Sequence, residues 1–339
     1  MAGKQEKRGA TLWRIIRRLL LVLITLALMV TAAAYVLLRQ FFRGPSPAAR
    51  DSITVSLMQS EYTDWIPGLF LSDRQIDDIC GKMTSILPAN VSDPSLILPG
   101  TAEGWSSSPD GIRMEEYEGA GFRAYMLIVR DPARISLSYR PQGDTIHNHL
   151  AQSGAAAAVN AGAYRQEDDR SQALGLVISG GSTVSDSGVA PEEGFAGFNA
   201  ESILVVAGSM TAAEAQELGI RDGHACGPVL MMDGQINEGA YNANSGLSSR
   251  ACIGQRADGS VVFLYTTGPL SGDAGATWQD CIDILYEYDC INACSLDSTS
   301  VMLRTDGSGT AAAVGTDSPL RAESAMLPDV WVIRPGEEG

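Results

Sequence analysis

The chain has 339 residues, of which 45% are hydrophobic and 19% charged, so it can bury a sizeable core and is not a disordered protein. Its formal net charge is −16; the first 50 residues are basic, with a net charge of +8, which leaves −24 for the rest. A domain this acidic repels nucleic acid and anionic lipid surfaces, so we expect no nucleic-acid partner.

The first predicted element is an uncharged apolar run from Leu19 to Leu38, long enough to cross a bilayer as one helix. Six basic side chains precede it and three follow closely, so the positive-inside rule places the N-terminus in the cytoplasm. We predict a cytoplasmic tail over 1–18, a membrane span over 19–38 and an extracytoplasmic remainder, which makes a single-pass protein of the cell membrane. A cleaved signal peptide is the alternative, because Ala32 to Ala34 offer small residues of the kind that signal peptidases accept.

Residues 39–110 are predicted to form a stalk and an N-terminal extension. Phe41 to Arg50 contains Gly44, Pro45 and Pro47 and is typical of a short stalk. A helix capped by Ser72 or Asp73 is expected to run to Met83, and the Pro- and Ser-rich stretch from Pro88 to Gly111 is typical of a long surface connection.

Residues 111–335 are predicted to form one α+β ectodomain, a mixed β-sheet flanked by helices. Strands outnumber helices and follow an irregular order, which favours this class over a doubly wound sheet. Helices are expected over Ile146–Gln152 and Ala212–Leu218, and from an N-cap at Thr277 to Asp289. The predicted strands are Arg123–Val129, Arg134–Tyr139, Ala155–Val159, Leu174–Ile178, Ser202–Val206, Pro228–Met232, Ala251–Ile253, Val261–Thr266, Ile291–Leu296 and Val330–Ile333.

Asp297 is the leading candidate for a catalytic carboxylate, because it ends a predicted buried strand and a Ser/Thr-rich loop follows. A cap on that loop is the alternative. Asn160 also follows a strand, where an amide can orient a substrate or a carboxylate, although it could simply form a turn. Arg250 precedes the apolar ACIG and could contact phosphate oxygens, or it could be a solvated surface residue.

His224 lies close to a predicted sheet edge and is a candidate acid or base, with a structural role as the alternative. Asp233 precedes Gly234 between apolar runs, a strong hairpin signal that favours a structural role, as at Asp258-Gly259 and Asp306-Gly307. The six cysteines permit disulfides without proving any, and C-x-x-C pairs are missing, so no metal site is expected. No nucleotide, zinc-protease or G-x-S-x-G fingerprint occurs, and we expect no cofactor.

Together these segments resemble the phosphodiester glycosidase family, in order, over roughly residues 110 to 335. The segments that carry the resemblance are VNAGAY from Val159, ALGLVISGG from Ala173, GPVLMMDG from Gly227, SSRACIGQRADGSVVFL from Ser248 and LPDVWVI from Leu327. The resemblance implies a hydrolase that releases a sugar from a phosphodiester, acting on envelope or exopolysaccharide glycans. It carries catalytic roles to Asp297, Arg250 and Asn160, and substrate-binding roles to His224, Asp233 and Gly162.

The chain departs from the family where members read Leu-Asp-Gly-Gly-x-Ser. Here Leu296 and Asp297 are followed by Ser298, Thr299 and Ser300. Glycines allow positive φ and close backbone approach to a ligand, so their loss could reshape the site. Two functions therefore stay open: a hydrolase of sugar-1-phosphodiesters, or an inactive relative that serves as a glycan-binding or scaffold domain.

Overall fold

The computed structural model describes residues 2–44, 46–58, 63–80, 86–106, 108, 110–167, 170–188, 194–243, 245–296, 301–305, 311–316 and 324–336. The chain divides into two compact units, Met1–Gly81 and Lys82–Gly339.

The first unit is helical, with α1 (Ala2–Phe42), α2 (Pro47–Met58) and α3 (Asp73–Ile79). Within α1, Arg17–Phe42 has a mean hydropathy of 2.6 and is long and apolar enough to cross a membrane, a test that a signal sequence would also meet. The backbone N–H of Ser72 donates to Gln75 Oε1 at 3.0 Å, so Ser72 caps α3 as predicted. The last residues of the predicted stalk lie in α2, whose first residue is Pro47, a position where proline is favoured.

The second unit is built from antiparallel sheets, and every strand pairing in its described part is antiparallel. A seven-stranded sheet has the order β1-β2-β15-β14-β16-β12-β13, and two five-stranded sheets have the orders β10-β9-β11-β7-β8 and β18-β17-β4-β19-β3. The strands are β1 (Ile112–Glu118), β2 (Arg123–Val129), β3 (Ile135–Asp144), β4 (Ala157–Asn160), β5 (Tyr164–Glu167), β6 (Arg170–Ala173), β7 (Leu176–Ser179), β8 (Ser182–Asp186), β9 (Phe195–Asn199), β10 (Leu204–Ala207), β11 (Ile220–Ala225), β12 (Val229–Met232), β13 (Gln235–Ile236), β14 (Arg250–Arg256), β15 (Val261–Thr266), β16 (Cys290–Ser295), β17 (Val301–Thr305), β18 (Ala311–Thr316) and β19 (Leu327–Ile333).

The main apolar core is shared by the three large sheets, with residues such as Phe263, Phe198 and Trp331 in one cluster. The described residues of this unit contain four α-helices, and the sequence predicted all but the third: α4 (Ile146–Ser153), α5 (Ala212–Glu217), α6 (Glu238–Tyr241) and α7 (Trp278–Glu287). Helix α7 has the predicted Thr277–Asp280 capping box and buries Cys281, Ile282, Ile284 and Leu285.

The α+β class is confirmed, and most predicted strands occur with ends shifted by one to three residues. Among the strands that were not predicted, β9 and β11 each have a glycine in the middle, which sequence rules take as a break. A Cβ on Gly223 would lie 2.8 Å from the Cα of Gly197 and 2.6 Å from the Phe195 ring. These glycines therefore let two strands approach closely beneath an aromatic ring. The Asp233-Gly234 turn joins β12 to β13 with positive φ at both residues, as predicted.

Candidate active site

The C-terminal end of β16 is where the seven-stranded sheet is joined to the sheet that contains β4. Leu296, directly after β16, donates its backbone N–H to the carbonyl oxygen of Ala251 at 2.8 Å. After residues 297–300, β17 begins, and its Met302 pairs with Val159 of β4. This link can span at most about 18 Å, the reach of five extended residues. Asp297, the predicted catalytic carboxylate, belongs to it and lies outside the described residues.

The connection from β11 to β12 reaches the same end of β16. Gly227 donates its N–H to the carbonyl oxygen of Ser295 at 3.1 Å, and Ser295 donates to the carbonyl oxygen of Pro228 at 2.9 Å. The peptide bond between Gly227 and Pro228 is cis. Since β11 belongs to the five-stranded sheet of order β10-β9-β11-β7-β8, all three large sheets are connected at this end of β16.

Arg250, the first residue of β14, is buried, with 3% of its surface exposed. Its Nε donates to the carbonyl oxygen of Ala276 at 3.2 Å, and its Nη2 donates to those of Ser245 at 2.6 Å and Gly246 at 3.2 Å. The guanidinium carbon lies 3.8 Å from the centre of the Trp278 ring, a cation–π contact. The alternative of a solvated surface arginine is therefore wrong: Arg250 is a buried, fixed positive charge. The next residue along β14, Ala251, accepts the backbone N–H of Leu296, the residue that precedes Asp297.

Two glycines allow the loops around Arg250 to close on one another. A Cβ on Gly268 would lie 2.5 Å from the backbone nitrogen of Ser249, and one on Gly275 would lie 2.6 Å from that of Ser248. Gly275 also has a φ of +101°, which other residues rarely adopt. The loops that supply carbonyl groups to the guanidinium are thus held together by backbone contacts that admit only glycine.

His224 and Gly162 are brought into direct contact. His224 is completely buried in β11, and a Cβ on Gly162 would lie 2.7 Å from its Nδ1. On the other side of the ring, Trp331 of β19 donates its indole N–H to His224 Nε2 at 3.1 Å. His224 therefore links its own sheet to the sheet of β4 and β19.

The chemistry of His224 follows from these contacts. Indole can only donate, so Nε2 must accept and the ring proton lies on Nδ1, which is 3.3 Å from the carbonyl oxygen of Ala225. Burial lowers the pKa of His224 to about 4. The ring is thus neutral at pH 7 with both nitrogens engaged, an arrangement that supports a structural link better than an acid or base.

Asn160 ends β4 and is 1% exposed. Its neighbours Val159 and Ala161 belong to the main core, while Ala158 packs in the cluster beneath α4. Because side chains alternate along a strand, the Asn160 amide lies on the face of Ala158, in register with Val330. Its backbone is near Gly162, but its side chain is on the opposite face of the sheet from His224 and Trp331.

Asp233 lies at the other end of the seven-stranded sheet. It follows β12, whose first residue, Val229, pairs with Cys294 near the end of β16. Four residue-to-residue steps along the strand, about 13 Å, separate Asp233 from Val229. Its Oδ1 accepts the backbone N–H of Asp93 at 2.8 Å, so this carboxylate fixes a turn and an adjoining segment.

The tertiary contacts also reveal residues that sequence reasoning missed at this place. Trp331 donates a hydrogen bond to His224, and Trp278 makes a cation–π contact with Arg250. In the sequence, the only signal for either tryptophan was its position in an apolar pattern. Within the described residues, no group of three or more His, Cys, Asp or Glu side chains could hold a metal ion.

A comparison with solved structures finds a related fold. The catalytic domain of zebrafish N-acetylglucosamine-1-phosphodiester alpha-N-acetylglucosaminidase, auto-inhibited by its pro-peptide, superposes with a TM-score of 0.53 at 17% identity, covering 68% of this chain and 85% of that one. A hypothetical protein from Synechocystis gives 0.42 at 13% identity, covering 65% and 62%. A protein from Burkholderia pseudomallei gives 0.41 at 12% identity, covering 63% and 74%. A comparison with curated proteins gave no match.

The class of protein is therefore an α+β domain with the fold of a phosphodiester-glycosidase catalytic domain. The phosphodiester glycosidase family model matches residues 153–333, more than half of the chain. This protein belongs to the phosphodiester glycosidase family, a family of hydrolases, and its matched region includes β4, β11, β14, β16 and β19.

Proposed function

We propose that this chain is a membrane-anchored, extracytoplasmic hydrolase of sugar-1-phosphodiesters that acts on envelope or exopolysaccharide glycans. The observation that carries the proposal is the hydrogen bond from Leu296 to Ala251. It fixes the residue before Asp297 beside the residue after Arg250, so a carboxylate and a buried cation belong to adjacent strand ends.

Hydrolysis of such a substrate breaks the bond between the anomeric carbon and the phosphate oxygen. Water adds to the carbon, and the phosphate leaves as a monoester. A carboxylate such as Asp297 would activate the water or stabilise positive charge on the sugar. A fixed cation would stabilise the negative charge that develops on the leaving phosphate.

Arg250 is proposed to act through its charge. Its Nε and Nη2 already donate to backbone carbonyl groups, which disfavours a bidentate contact from that edge to phosphate. A buried charge is weakly screened by water, so it still raises the potential at the strand end. This matters in a domain with net charge −24 over residues 51–339, which would otherwise repel a phosphodiester.

The other candidate residues are proposed to have positioning roles. Asn160 is buried on the α4 face of its sheet, where it can hold the end of β4. Gly162 and His224 pack together, so we propose that they shape the wall of the site. We propose no substrate contact for Asp233, because its carboxylate fixes a turn at the far end of the sheet.

The membrane anchor is proposed from the apolar part of α1 and from the charge distribution around it. Arg17–Phe42 meets the length and hydropathy of a span, and basic residues are concentrated before it. The domain from residue 82 onward would then face the glycans outside the cytoplasm.

The test is hydrolysis of a panel of sugar-1-phosphodiesters by the full-length chain in detergent, with the released sugar and the phosphomonoester both measured. We expect turnover that falls about 100- to 10,000-fold in Asp297→Asn. The matched control is Asp283→Asn, at an exposed position on α7, which should keep full activity. Equal rates in the wild type and Asp297→Asn would refute the proposal.

The alternative, an inactive glycan-binding or scaffold domain, is favoured by the Ser298-Thr299 pair where the family has Gly-Gly. Replacing both with glycine distinguishes the two functions. A large gain in turnover supports a hydrolase limited by this loop, whereas glycan binding without turnover in both versions supports the alternative.

A further inference from the structure

Two buried cysteines meet next to the candidate site. Cys226 follows β11, two residues after His224, and Cys294 lies in β16, three residues before Asp297. Their sulfur atoms are 2.9 Å apart although 68 positions separate them in the chain. Both belong to the main apolar core, with exposures of 2% and 0%.

The backbone around this pair holds the two sulfur atoms in place. The N–H of Gly227, directly after Cys226, donates to the carbonyl oxygen of Ser295, directly after Cys294. The two cysteines therefore lie on neighbouring, mutually hydrogen-bonded segments. A disulfide has a sulfur–sulfur distance of about 2.05 Å, so closure needs less than about 1 Å of movement, within the range of a small side-chain rotation.

We propose that Cys226 and Cys294 form a disulfide that ties the connection after His224 to the strand that leads into Asp297. The oxidant is a disulfide-bonded donor of the kind that supplies secreted proteins. One cysteine thiolate attacks a donor sulfur and expels the first donor thiolate. The second cysteine then attacks the first, expels the other donor thiolate and forms the new bond. Two electrons pass to the donor, and the two cysteine protons go to its two thiols.

Burial sets the time at which this reaction occurs. A donor cannot reach either sulfur in the folded domain, so the bond forms before β16 packs against the β11–β12 connection. Once formed, it closes a loop of 68 residues and is shielded from reductants. Hydrolase activity is not needed to detect the bond, because the peptide mass and the unfolding temperature report it directly.

The first test maps the bond. The full-length chain is reduced and unfolded, refolded in detergent with reduced and oxidised glutathione, alkylated without reductant and digested for mass spectrometry. We expect one linked peptide pair containing Cys226 and Cys294. Alkylation of all six cysteines, or a link between other cysteines, would overturn the proposal.

The second test measures the unfolding temperature with and without dithiothreitol. Heating and unfolding expose the bond to the reductant, so the wild type should lose on the order of 10 °C. Cys226→Ala should be insensitive to the reductant. The control is Cys290→Ala, another buried cysteine, which should stay as sensitive as the wild type. Equal losses in Cys226→Ala and wild type would refute the inference, and the peptide map decides the outcome even if Cys226→Ala does not fold.

Discussion

Replacing Gly162 with alanine tests the contact between β4 and β11 most directly. The new Cβ would lie 2.7 Å from His224 Nδ1, about 0.7 Å closer than the 3.4 Å lower limit of ordinary contact. Ala225 O, at 3.1 Å, and the buried surroundings of the ring leave His224 little room to retreat. The ring must therefore move against Trp331.

The expected cost has two parts. Overpacking a buried site costs about 1–3 kcal/mol. Moving the ring also weakens the Trp331–His224 hydrogen bond, worth about 0.5–1.5 kcal/mol. The sum is about 3 kcal/mol, which corresponds to a fall of roughly 10 °C in the unfolding temperature of a domain of this size.

The assay is thermal or urea unfolding of the purified chain, with Gly208→Ala as the control. A Cβ on Gly208 would meet two side-chain atoms, the end of the flexible Leu87 side chain at 3.2 Å and Asn90 Oδ1 at an ordinary 3.5 Å, so its cost should be below about 1 kcal/mol. The decisive comparison is a double-mutant cycle with His224→Ala, in which the Gly162→Ala cost should fall by at least half. An unchanged cost in that background would refute the view that His224 is the obstacle.

Two further predictions concern the buried side chains of Arg250 and His224. Arg250→Lys should lower the free energy of unfolding, measured in urea, by about 3 kcal/mol, because an ammonium cannot reach the Ala276 and Ser245 carbonyl groups together. The control is Arg130→Lys, at an exposed position, which should change it by less than about 0.5 kcal/mol. Burial keeps His224 neutral and lowers its pKa to about 4. The resulting contribution to the free energy of unfolding is complete above pH 6.5 and is lost as the pH falls to about 4, a change of about 3 kcal/mol in total. Unfolding curves of the wild type and His224→Gln should therefore converge between pH 6.5 and pH 4, and a constant difference would contradict this linkage.

Much of the local structure was predictable because it depends on short-range patterns. The Thr277–Asp280 capping box and the apolar spacing after it identify α7, and short continuous apolar runs identify β2 and β15 with their observed ends. The Asp233-Gly234 turn also follows from two adjacent residues. Strands β9 and β11 escaped prediction because Gly197 and Gly223 serve a contact between strands.

The candidate site was predictable only in part. The sequence singled out Arg250 and His224, but its patterns left a solvated surface role open for Arg250 and a structural role open for His224. Their burial depends on partners distant in the chain: Arg250 needs Ala276 and Trp278, and His224 needs Trp331, 107 positions away. Local spacing carries no information about such pairs.

By itself, the sequence determined the α+β class, the apolar N-terminal helix, the acidic character of the remainder and the family, because these follow from composition, periodicity and ordered motifs. The tertiary structure alone decided which strand ends meet. It placed Arg250 beside the end of β16, Gly162 against His224 and Cys226 against Cys294, and it separated Asp233 from them. The physical reason is that strand register and sheet packing are set by burial of the whole core, which no short segment encodes.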